Sequence, residues 1–340
     1  MKKVLVIGAT GMMGSHLVPL LLEKGYAVDG VTLDDVTSDN PMLRYMKKDA
    51  YDNNVLLELL QNGYDGIIDF LHYGDPNFFK NRSQLFLKKT KHYIFLSSYR
   101  VYADCAGVLT ENSPRLTEAY SDDKDLINND TYGVSKCRCE DVLNQSGLRN
   151  YTIVRPVIVY AENCLLLVTW KGRVIPYRAS QKGKLLLPTE AKEKHAAIIY
   201  AGDIARVFAE LLFNEKSFGE TYTLGSPETI TWGEMAKLYE ELCGITSEWI
   251  PGAEFGKMAT GSTQEIPDGM KFMLYYDRFF NRDVNVEKVF KHTKIKAEQF
   301  ISHKEGLKKC LAAYPENYQP SEWETAQNDF MSDYIKNHNL

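Results

Sequence analysis

A glycine-rich turn near the start of the chain constrains the fold more than any other feature. The apolar residues 4–7 are followed by Gly8, Gly11 and Gly14, in the spacing Gly-x-x-Gly-x-x-Gly. The first glycine permits a tight turn, the second lets the backbone approach a pyrophosphate, and the third lets the next helix pack closely on the strand. Phosphate groups then bind at the helix N-terminus, where free N–H groups point outwards. The segment therefore predicts a strand, a dinucleotide-binding turn and a helix.

The first half of the chain alternates between short apolar segments and amphipathic ones. Strands are predicted at 4–7, 27–32, 44–47, 66–71, 92–96 and 151–154, and helices at 12–24, 55–62, 83–89 and 131–145. This alternation predicts an α/β fold with a doubly wound parallel sheet of the Rossmann type. The first strand is apolar throughout, which is typical of strands buried on both faces. Pro19 lies inside the first predicted helix and is expected to kink it.

Beyond Pro156 the alternation stops and the pattern becomes mixed. The predicted elements are strands at 185–187 and 221–224, helices at 202–213 and 231–243, and a C-terminal helix from 321 to about 336. Thr231 and Ser321 stand where helix caps are expected. We therefore predict a Rossmann domain with the catalytic residues over 1–160. A smaller, mainly substrate-binding lobe follows over 161–340, with late sheet elements at about 198–225 that return to the Rossmann core.

Tyr132 and Lys136 form the motif that carries the chemistry. They are four residues apart in a predicted helix, so they lie on one face of it. Ser98 stands at the end of the predicted strand 92–96. A free tyrosine is a poor base at neutral pH, but a nearby ammonium such as that of Lys136 stabilises its phenolate. We expect Ser98 to hold a substrate oxygen while Tyr132 removes or supplies the proton of that hydroxyl.

The order of the three motifs resembles the extended short-chain dehydrogenase/reductase superfamily, that is, the NAD-dependent epimerase/dehydratase family. Arg155-Pro156 at the end of the next predicted strand adds to the resemblance, which covers residues 1–160 strongly and 195–245 weakly. It implies an NAD(P)-dependent enzyme with Ser98, Tyr132 and Lys136 as its catalytic residues. It also implies a homodimer.

The glycine turn and this resemblance together assign a set of cofactor contacts. These are Gly8, Thr10, Gly11, Met12, Met13, Gly14, Thr32, Asp34, Asp49, Lys136 and Pro156. Lys136 can donate hydrogen bonds to the nicotinamide ribose. Asp49 resembles the aspartate of the family that contacts the adenine amino group.

The choice between NAD and NADP is made at the end of the second strand. A carboxylate there binds the ribose hydroxyls, whereas a cation accommodates an additional phosphate. Residues 25–43 contain no Lys or Arg, and Asp34 and Asp35 follow Thr32 closely. NAD is therefore predicted, with NADP as the alternative.

The two residues after Ser98 bear on the type of reaction. Dehydratases of the resembled family carry Asp and Glu there as acid and base, whereas this chain has Tyr99 and Arg100. Dehydration is therefore disfavoured. Oxidation and reduction at one carbon remain, and the sequence leaves open whether the enzyme is a 4-epimerase or a keto-reductase of a sugar, most naturally a nucleotide sugar.

The substrate contacts are less well defined by the sequence. Relatives place an arginine that grips the nucleotide diphosphate shortly before residue 202, where this chain has Ala196 and Ala197. The candidate substrate-binding residues are Tyr99, Arg173, Arg178 and His195. His72 or Tyr73 is expected to line the nicotinamide pocket. No metal site is predicted.

The composition limits the other classes of function. A net charge of −5 and a pI of about 5.9 give no electrostatic reason to bind nucleic acid or an anionic membrane. Six cysteines without a Cys-x-x-Cys pair indicate reduced thiols, and we expect a cytoplasmic protein. The Asp69-Phe70 strand end and residues 195–245 also resemble a divergent subgroup that includes chloroplast stem-loop RNA-binding proteins. An RNA-binding or cofactor-sensing protein without turnover is therefore the alternative.

Overall fold

Thirteen strands are present in the computed structural model, which describes residues 1–340. They are β1 (Lys3–Ile7), β2 (Ala27–Thr32), β3 (Leu43–Lys47), β4 (Gly66–Asp69), β5 (His92–Leu96), β6 (Tyr151–Pro156), β7 (Ile158–Tyr160), β8 (Leu165–Leu167), β9 (Trp170–Gly172), β10 (Leu185–Pro188), β11 (Ile198–Tyr200), β12 (Glu220–Leu224) and β13 (Ser247–Ile250). Seven of them form one sheet in the order β12-β6-β5-β4-β1-β2-β3, and all neighbouring pairs are parallel. The predicted α/β fold with a parallel Rossmann sheet is confirmed.

The chain also forms fourteen α-helices. They are α1 (Gly14–Glu23), α2 (Asn53–Leu60), α3 (Pro76–Lys89), α4 (Leu116–Ala119), α5 (Lys124–Asn129), α6 (Gly133–Asn144), α7 (Val174–Ser180), α8 (Ala201–Leu211), α9 (Trp232–Cys243), α10 (Gly252–Thr260), α11 (Asp268–Met273), α12 (Glu287–His292), α13 (His303–Ala312) and α14 (Glu322–His338). Helix α1 packs against α8, and α3 packs against α6. No helix is both long enough and apolar enough to cross a membrane.

The ends of several elements show how local sequence sets them. Thr231 and Ser321 cap α9 and α14 with capping boxes, as their spacing predicts. Helix α3 begins seven residues earlier than predicted, because Asp75 accepts a hydrogen bond from the Asn77 N–H and Pro76 occupies the first turn. Helix α1 continues through Pro19 to Glu23.

The second half of the chain contributes both to the sheet and to smaller units. Strand β12 pairs with β6, so it extends the central sheet at one edge. Outside the central sheet, β10 pairs with β13, β11 with β7 and β8 with β9. Helix α14 packs against α7 and α10. The division of the chain at residue 160 stays a prediction.

A buried ion pair fixes helix α6 to the sheet. The Glu140 carboxylate accepts hydrogen bonds from the Arg155 Nε at 2.9 Å and Nη2 at 2.7 Å. It also accepts the Ser97 hydroxyl at 2.5 Å. Glu140 has no exposed surface, so its charge depends on these partners and on Arg115, whose Nη1 lies 3.5 Å from a Glu140 oxygen. The pair therefore joins α6, the end of β5 and the end of β6.

We expect Glu140→Gln to lower the free energy of unfolding by about 3–5 kcal/mol, because Arg155 would be left as a buried charge without a counter-ion. The double variant Glu140→Met/Arg155→Met removes both charges and should lose less. Urea unfolding of the three proteins, followed by circular dichroism, measures the difference. An equal loss in the single and double variants would contradict this account of the pair.

Candidate active site

The glycine turn connects β1 to α1, and two of its glycines are required by the fold. Gly8 has φ +86°, a left-handed conformation that favours glycine. A Cβ atom on Gly14 would lie 2.2 Å from the Gly8 carbonyl oxygen, so α1 can approach β1 only without it. A Cβ atom on Gly11 would meet only that same oxygen at 3.4 Å, which is an ordinary contact. Because packing alone does not demand Gly11, the open backbone there fits the close approach of a pyrophosphate.

Three oxygen-bearing side chains cluster beside this turn at the end of β2. The Thr10 hydroxyl lies 2.5 Å from the Thr32 hydroxyl and 2.5 Å from an Asp34 carboxylate oxygen. The Asp34 N–H donates to the Thr32 hydroxyl at 3.0 Å. The first cation after this segment, Arg44, binds Asp29 at 2.5 and 3.1 Å. The cluster therefore offers acceptors, which suit ribose hydroxyls better than a 2′-phosphate.

The other residues assigned to the cofactor lie along the same edge of the sheet or in the turn. Met12 and Met13 lie between Gly11 and the start of α1. The Asp49 carboxylate accepts the Tyr51 N–H at 2.9 Å in the loop after β3. Pro156 is the last residue of β6, where it pairs with Leu224 of β12. Their contacts with a cofactor stay predictions.

The three residues assigned to catalysis stand at the ends of β5 and α6. Ser98 follows β5 by two residues, Tyr132 directly precedes α6, and Lys136 lies in its first turn. The Lys136 ammonium donates to the Leu96 carbonyl at 2.5 Å, so it joins α6 to the end of β5 next to Ser98. Ser98 and Lys136 are buried, whereas Tyr132 is 41% exposed. A substrate can therefore reach the tyrosine.

Burial changes the acid–base properties of Lys136. Desolvation lowers the pKa of its ammonium to about 8, while the carboxylates of Asp69 and Glu140 and the thiol of Cys139 act in the opposite direction. Lys136 therefore keeps most of its charge at neutral pH and loses it in mildly alkaline solution. A charged Lys136 is the state that can stabilise a phenolate on Tyr132.

Two other side chains lie near the Tyr132 ring. The His72 ring stacks on it, with centroids 5.1 Å apart and an angle of 29° between the planes. The Arg100 guanidinium carbon lies 5.9 Å from the Tyr132 ring centroid. Burial and the charge of Lys136 lower the pKa of His72, which favours its neutral imidazole. Tyr73, by contrast, is a core residue whose hydroxyl donates to Asp69 at 2.7 Å.

Asp130 sets the position of Tyr132 at the start of α6. Its carboxylate accepts the backbone N–H groups of Tyr132 at 2.9 Å, Gly133 at 3.2 Å and Val134 at 3.2 Å. A carboxylate at a helix N-terminus satisfies these free donors and complements the helix dipole. Asp130 was not predicted from the sequence, although an aspartate just before a helix is a recognisable capping signal.

Tyr99, a candidate substrate residue, is already engaged within the protein. Its hydroxyl donates to the Asp277 carboxylate at 2.7 Å and accepts from Arg278 at 3.0 Å. Arg282 contacts the other Asp277 oxygen at 3.1 Å. All four residues are buried. The residues after Ser98 therefore meet a buried ionic network built from the second half of the chain.

The other three substrate candidates contact partners within the protein. Arg178 is buried and donates to the backbone and side-chain oxygens of Asn328 in α14 at 3.0 and 2.7 Å. The Arg173 guanidinium lies 4.8 Å from the Tyr318 ring centroid. The His195 Nδ1 lies 2.7 Å from an Asp283 carboxylate oxygen. Roles for these three residues in substrate binding stay predictions.

Comparison with known proteins places this site in a family. Residues 4–225 match the model of the NAD dependent epimerase/dehydratase family, a range that includes the glycine turn, Ser98, Tyr132 and Lys136. The sterol-4-alpha-carboxylate 3-dehydrogenase, decarboxylating, of Mus musculus is 31% identical over 109 residues, which is 32% of this chain and 28% of that protein. The aligned part therefore spans less than a third of that relative.

Solved structures share the fold over nearly the whole chain. An epimerase from Methanothermobacter thermautotrophicus has a TM-score of 0.69 at 17% identity, covering 98% of this chain and 94% of its own. The UDP-glucuronic acid 4-epimerase from Bacillus cereus, in complex with UDP-glucuronic acid and NAD, has a TM-score of 0.63 at 16% identity, covering 98% and 99%. At such identities the likeness establishes the fold, and the reaction must be argued from the residues of this site.

The lowered pKa of Lys136 predicts a pH-dependent stability. Between pH 8 and the ordinary lysine value near 10.5, the unfolded chain binds a proton that the folded chain does not, so folding stability rises with pH. From pH 7.5 to 9.5 the free energy of unfolding of the wild type should rise by about 2 kcal/mol relative to Lys136→Met. Urea unfolding of both proteins at the two pH values measures this. If the free energies of unfolding of the wild type and Lys136→Met changed equally with pH, the Lys136 ammonium would not be desolvated.

Substitutions at two glycines of the turn should have separate effects on folding stability and on NAD binding. Gly11→Ala should leave the free energy of unfolding within about 1 kcal/mol of the wild type but weaken NAD binding at least ~10-fold, because the methyl group obstructs the pyrophosphate. Gly14→Ala should destabilise the fold itself. Gly269→Ala, where a Cβ meets no atom within 4 Å, is the control. Calorimetric titration with NAD and urea unfolding measure the two effects. Unchanged NAD affinity in Gly11→Ala would contradict the placement of the pyrophosphate at this turn.

Proposed function

The chain belongs to the NAD dependent epimerase/dehydratase family, and on that premise we propose that it catalyses reversible NAD-dependent oxidation and reduction at a hydroxyl or keto carbon of a sugar. A nucleotide sugar is the substrate class that we propose, with a 4-epimerase or a keto-reductase as the reaction type. The observation that carries this proposal is the placement of Ser98, Tyr132 and Lys136 at the ends of β5 and α6. We also propose that the protein is a cytoplasmic homodimer with no role in nucleic-acid binding.

The residues around the turn fit an NAD molecule. The backbone of residues 8–14 and the N-terminus of α1 would hold its pyrophosphate, and the acceptors of Thr10, Thr32 and Asp34 would hold a ribose. Asp49 would contact the adenine of NAD, and Pro156 would lie at the nicotinamide end. When bound, NAD supplies the acceptor and donor of hydride. The structure of the Bacillus cereus epimerase, which is a complex with NAD, supports this proposal.

In the proposed mechanism Ser98 holds the substrate oxygen by its hydroxyl. The Ser98 hydroxyl oxygen accepts the Arg100 N–H at 3.2 Å, which leaves its own proton available for a substrate oxygen. Tyr132 takes the proton of the substrate hydroxyl during oxidation and returns it during reduction. Lys136, held by the Leu96 carbonyl, provides the positive charge that stabilises the phenolate. Acid–base assistance of this kind contributes about 10²–10⁴ to the rate.

Two further observations favour oxidation and reduction over dehydration. A dehydratase needs an acid and a base beside Ser98 for the loss of water. Tyr99 and Arg100 occupy those positions, and the Tyr99 hydroxyl is bound to Asp277. Because the Tyr99 hydroxyl is engaged, we assign the proton exchange with the substrate to Tyr132.

The proposal is tested by the variant Tyr132→Phe with Tyr26→Phe as its control. Turnover of a panel of nucleotide sugars, followed by NADH absorbance and by chromatography for epimers, should fall about 10²–10⁴-fold in Tyr132→Phe. NAD affinity should stay within a few-fold, because the hydroxyl is removed without changing the ring. Tyr26→Phe should match the wild type in both. Retained turnover would overturn the role of Tyr132, and failure of the wild type to bind NAD would overturn the proposed function.

A further inference from the structure

Arg100 is a buried arginine whose donors are mostly unused. Its side chain is 9% exposed. The guanidinium makes one hydrogen bond, from Nη2 to the Phe272 carbonyl at 3.4 Å, and its Nε has no partner. A guanidinium carries five N–H donors, and a buried donor without an acceptor is unfavourable by about 1–3 kcal/mol. Arg100 therefore has donors free to bind an acceptor from outside the chain.

The two nearest carboxylates do not provide that acceptor. Asp130 lies 3.9 Å and Asp277 lies 4.0 Å from the nearest Arg100 nitrogen, which is beyond hydrogen-bond range. Asp130 already accepts the three N–H groups at the start of α6. Asp277 already binds the Tyr99 hydroxyl, Arg278 and Arg282. Both carboxylates are thus occupied by other donors.

The charges of this cluster also do not balance. Arg100, Arg278 and Arg282 contribute three buried guanidinium groups, while Asp130 and Asp277 contribute two carboxylates. Among the buried groups one positive charge is therefore in excess, and Asp104, the further carboxylate that acts on Arg282, is exposed to solvent. A single negative charge from a ligand would neutralise it.

Arg100 lies beside the groups that handle the reacting hydroxyl. Its guanidinium carbon is 5.9 Å from the Tyr132 ring centroid, and its backbone N–H donates to the Ser98 hydroxyl. An anion bound to Arg100 would therefore belong to the substrate and lie close to the reacting carbon. We propose that Arg100 binds a carboxylate of the substrate, so that the sugar is a sugar acid. This inference rests on the proposed function.

The chemistry of the cluster favours a carboxylate over a phosphate. A planar guanidinium matches the two oxygens of a carboxylate in a bidentate pair. A carboxylate brings one negative charge, equal to the excess in the cluster. A phosphate monoester brings about 1.5–2 negative charges at pH 7, more than the cluster can neutralise beside the carboxylates of Asp130 and Asp277.

The test uses NAD-loaded protein and three free sugars, D-glucuronate, D-glucose and D-glucose 6-phosphate, whose binding is measured by ligand-observed NMR titration. The wild type should bind glucuronate at least ~10-fold more tightly than glucose, and glucose 6-phosphate less well than glucuronate. Arg100→Gln should bind glucuronate no more tightly than it binds glucose. Arg149→Gln, whose side chain is 73% exposed, is the matched control and should keep it.

Arg100→Lys gives a second comparison if Arg100→Gln does not fold. It retains the charge but loses the bidentate geometry, so the preference for glucuronate should shrink without vanishing. Equal binding of glucuronate and glucose by the wild type, including no binding of either, would overturn the inference, as would tighter binding of glucose 6-phosphate. NAD binding is measured on the same samples, and its loss in the wild type would instead overturn the proposed function.

Discussion

The hydrogen bonds that the Glu140 carboxylate accepts are the interactions on which the geometry of the site depends. Helix α6 carries Lys136 and follows Tyr132, β5 leads into Ser98, and β6 ends at Pro156. Glu140 binds Ser97 at the end of β5 and Arg155 at the end of β6. Because Ser97 adjoins Ser98, one buried charge fixes the distance between the serine and the helix that follows the tyrosine. Such a pair is costly to desolvate, and its value here lies in orientation.

Lys136 is a second buried charge of the site, and its burial affects both the stability of the fold and the proposed function. Its burial lowers its pKa to about 8, so the folded protein holds the ammonium at a cost. That cost is offset in part by the hydrogen bond to the Leu96 carbonyl, which also places the charge next to the end of β5. The exposed ring of Tyr132 is in turn positioned by Asp130 and stacks on the His72 ring. The surrounding groups thus hold Tyr132, the residue that we propose as the acid and base.

Local patterns in the sequence were enough to predict most of the fold. The sheet follows from the alternation of segments, and the caps of α9 and α14 follow from Thr231 and Ser321, because capping depends on residues three apart. The early start of α3 was missed although Asp75 and Pro76 carry it. Contacts between distant segments could not be predicted: Tyr99 and Asp277 are 178 residues apart, and only folding brings them together. For the same reason the sequence could not show that Arg178 is bound to Asn328 of α14.

The network around Asp277 bears on both the reaction that we propose and the charge near Tyr132. The π-helical turn Leu274–Arg278 brings Asp277 and Arg278 against Tyr99, so a segment of the second half of the chain completes the site after Ser98. In the mechanism that we propose, Tyr99 and Arg100 stand where loss of water would need an acid and a base. Because the Tyr99 hydroxyl is bound to Asp277 and Arg100 is a buried guanidinium, these positions place a positive group rather than an acid near Tyr132. That positive charge is the basis of the anion site that we propose.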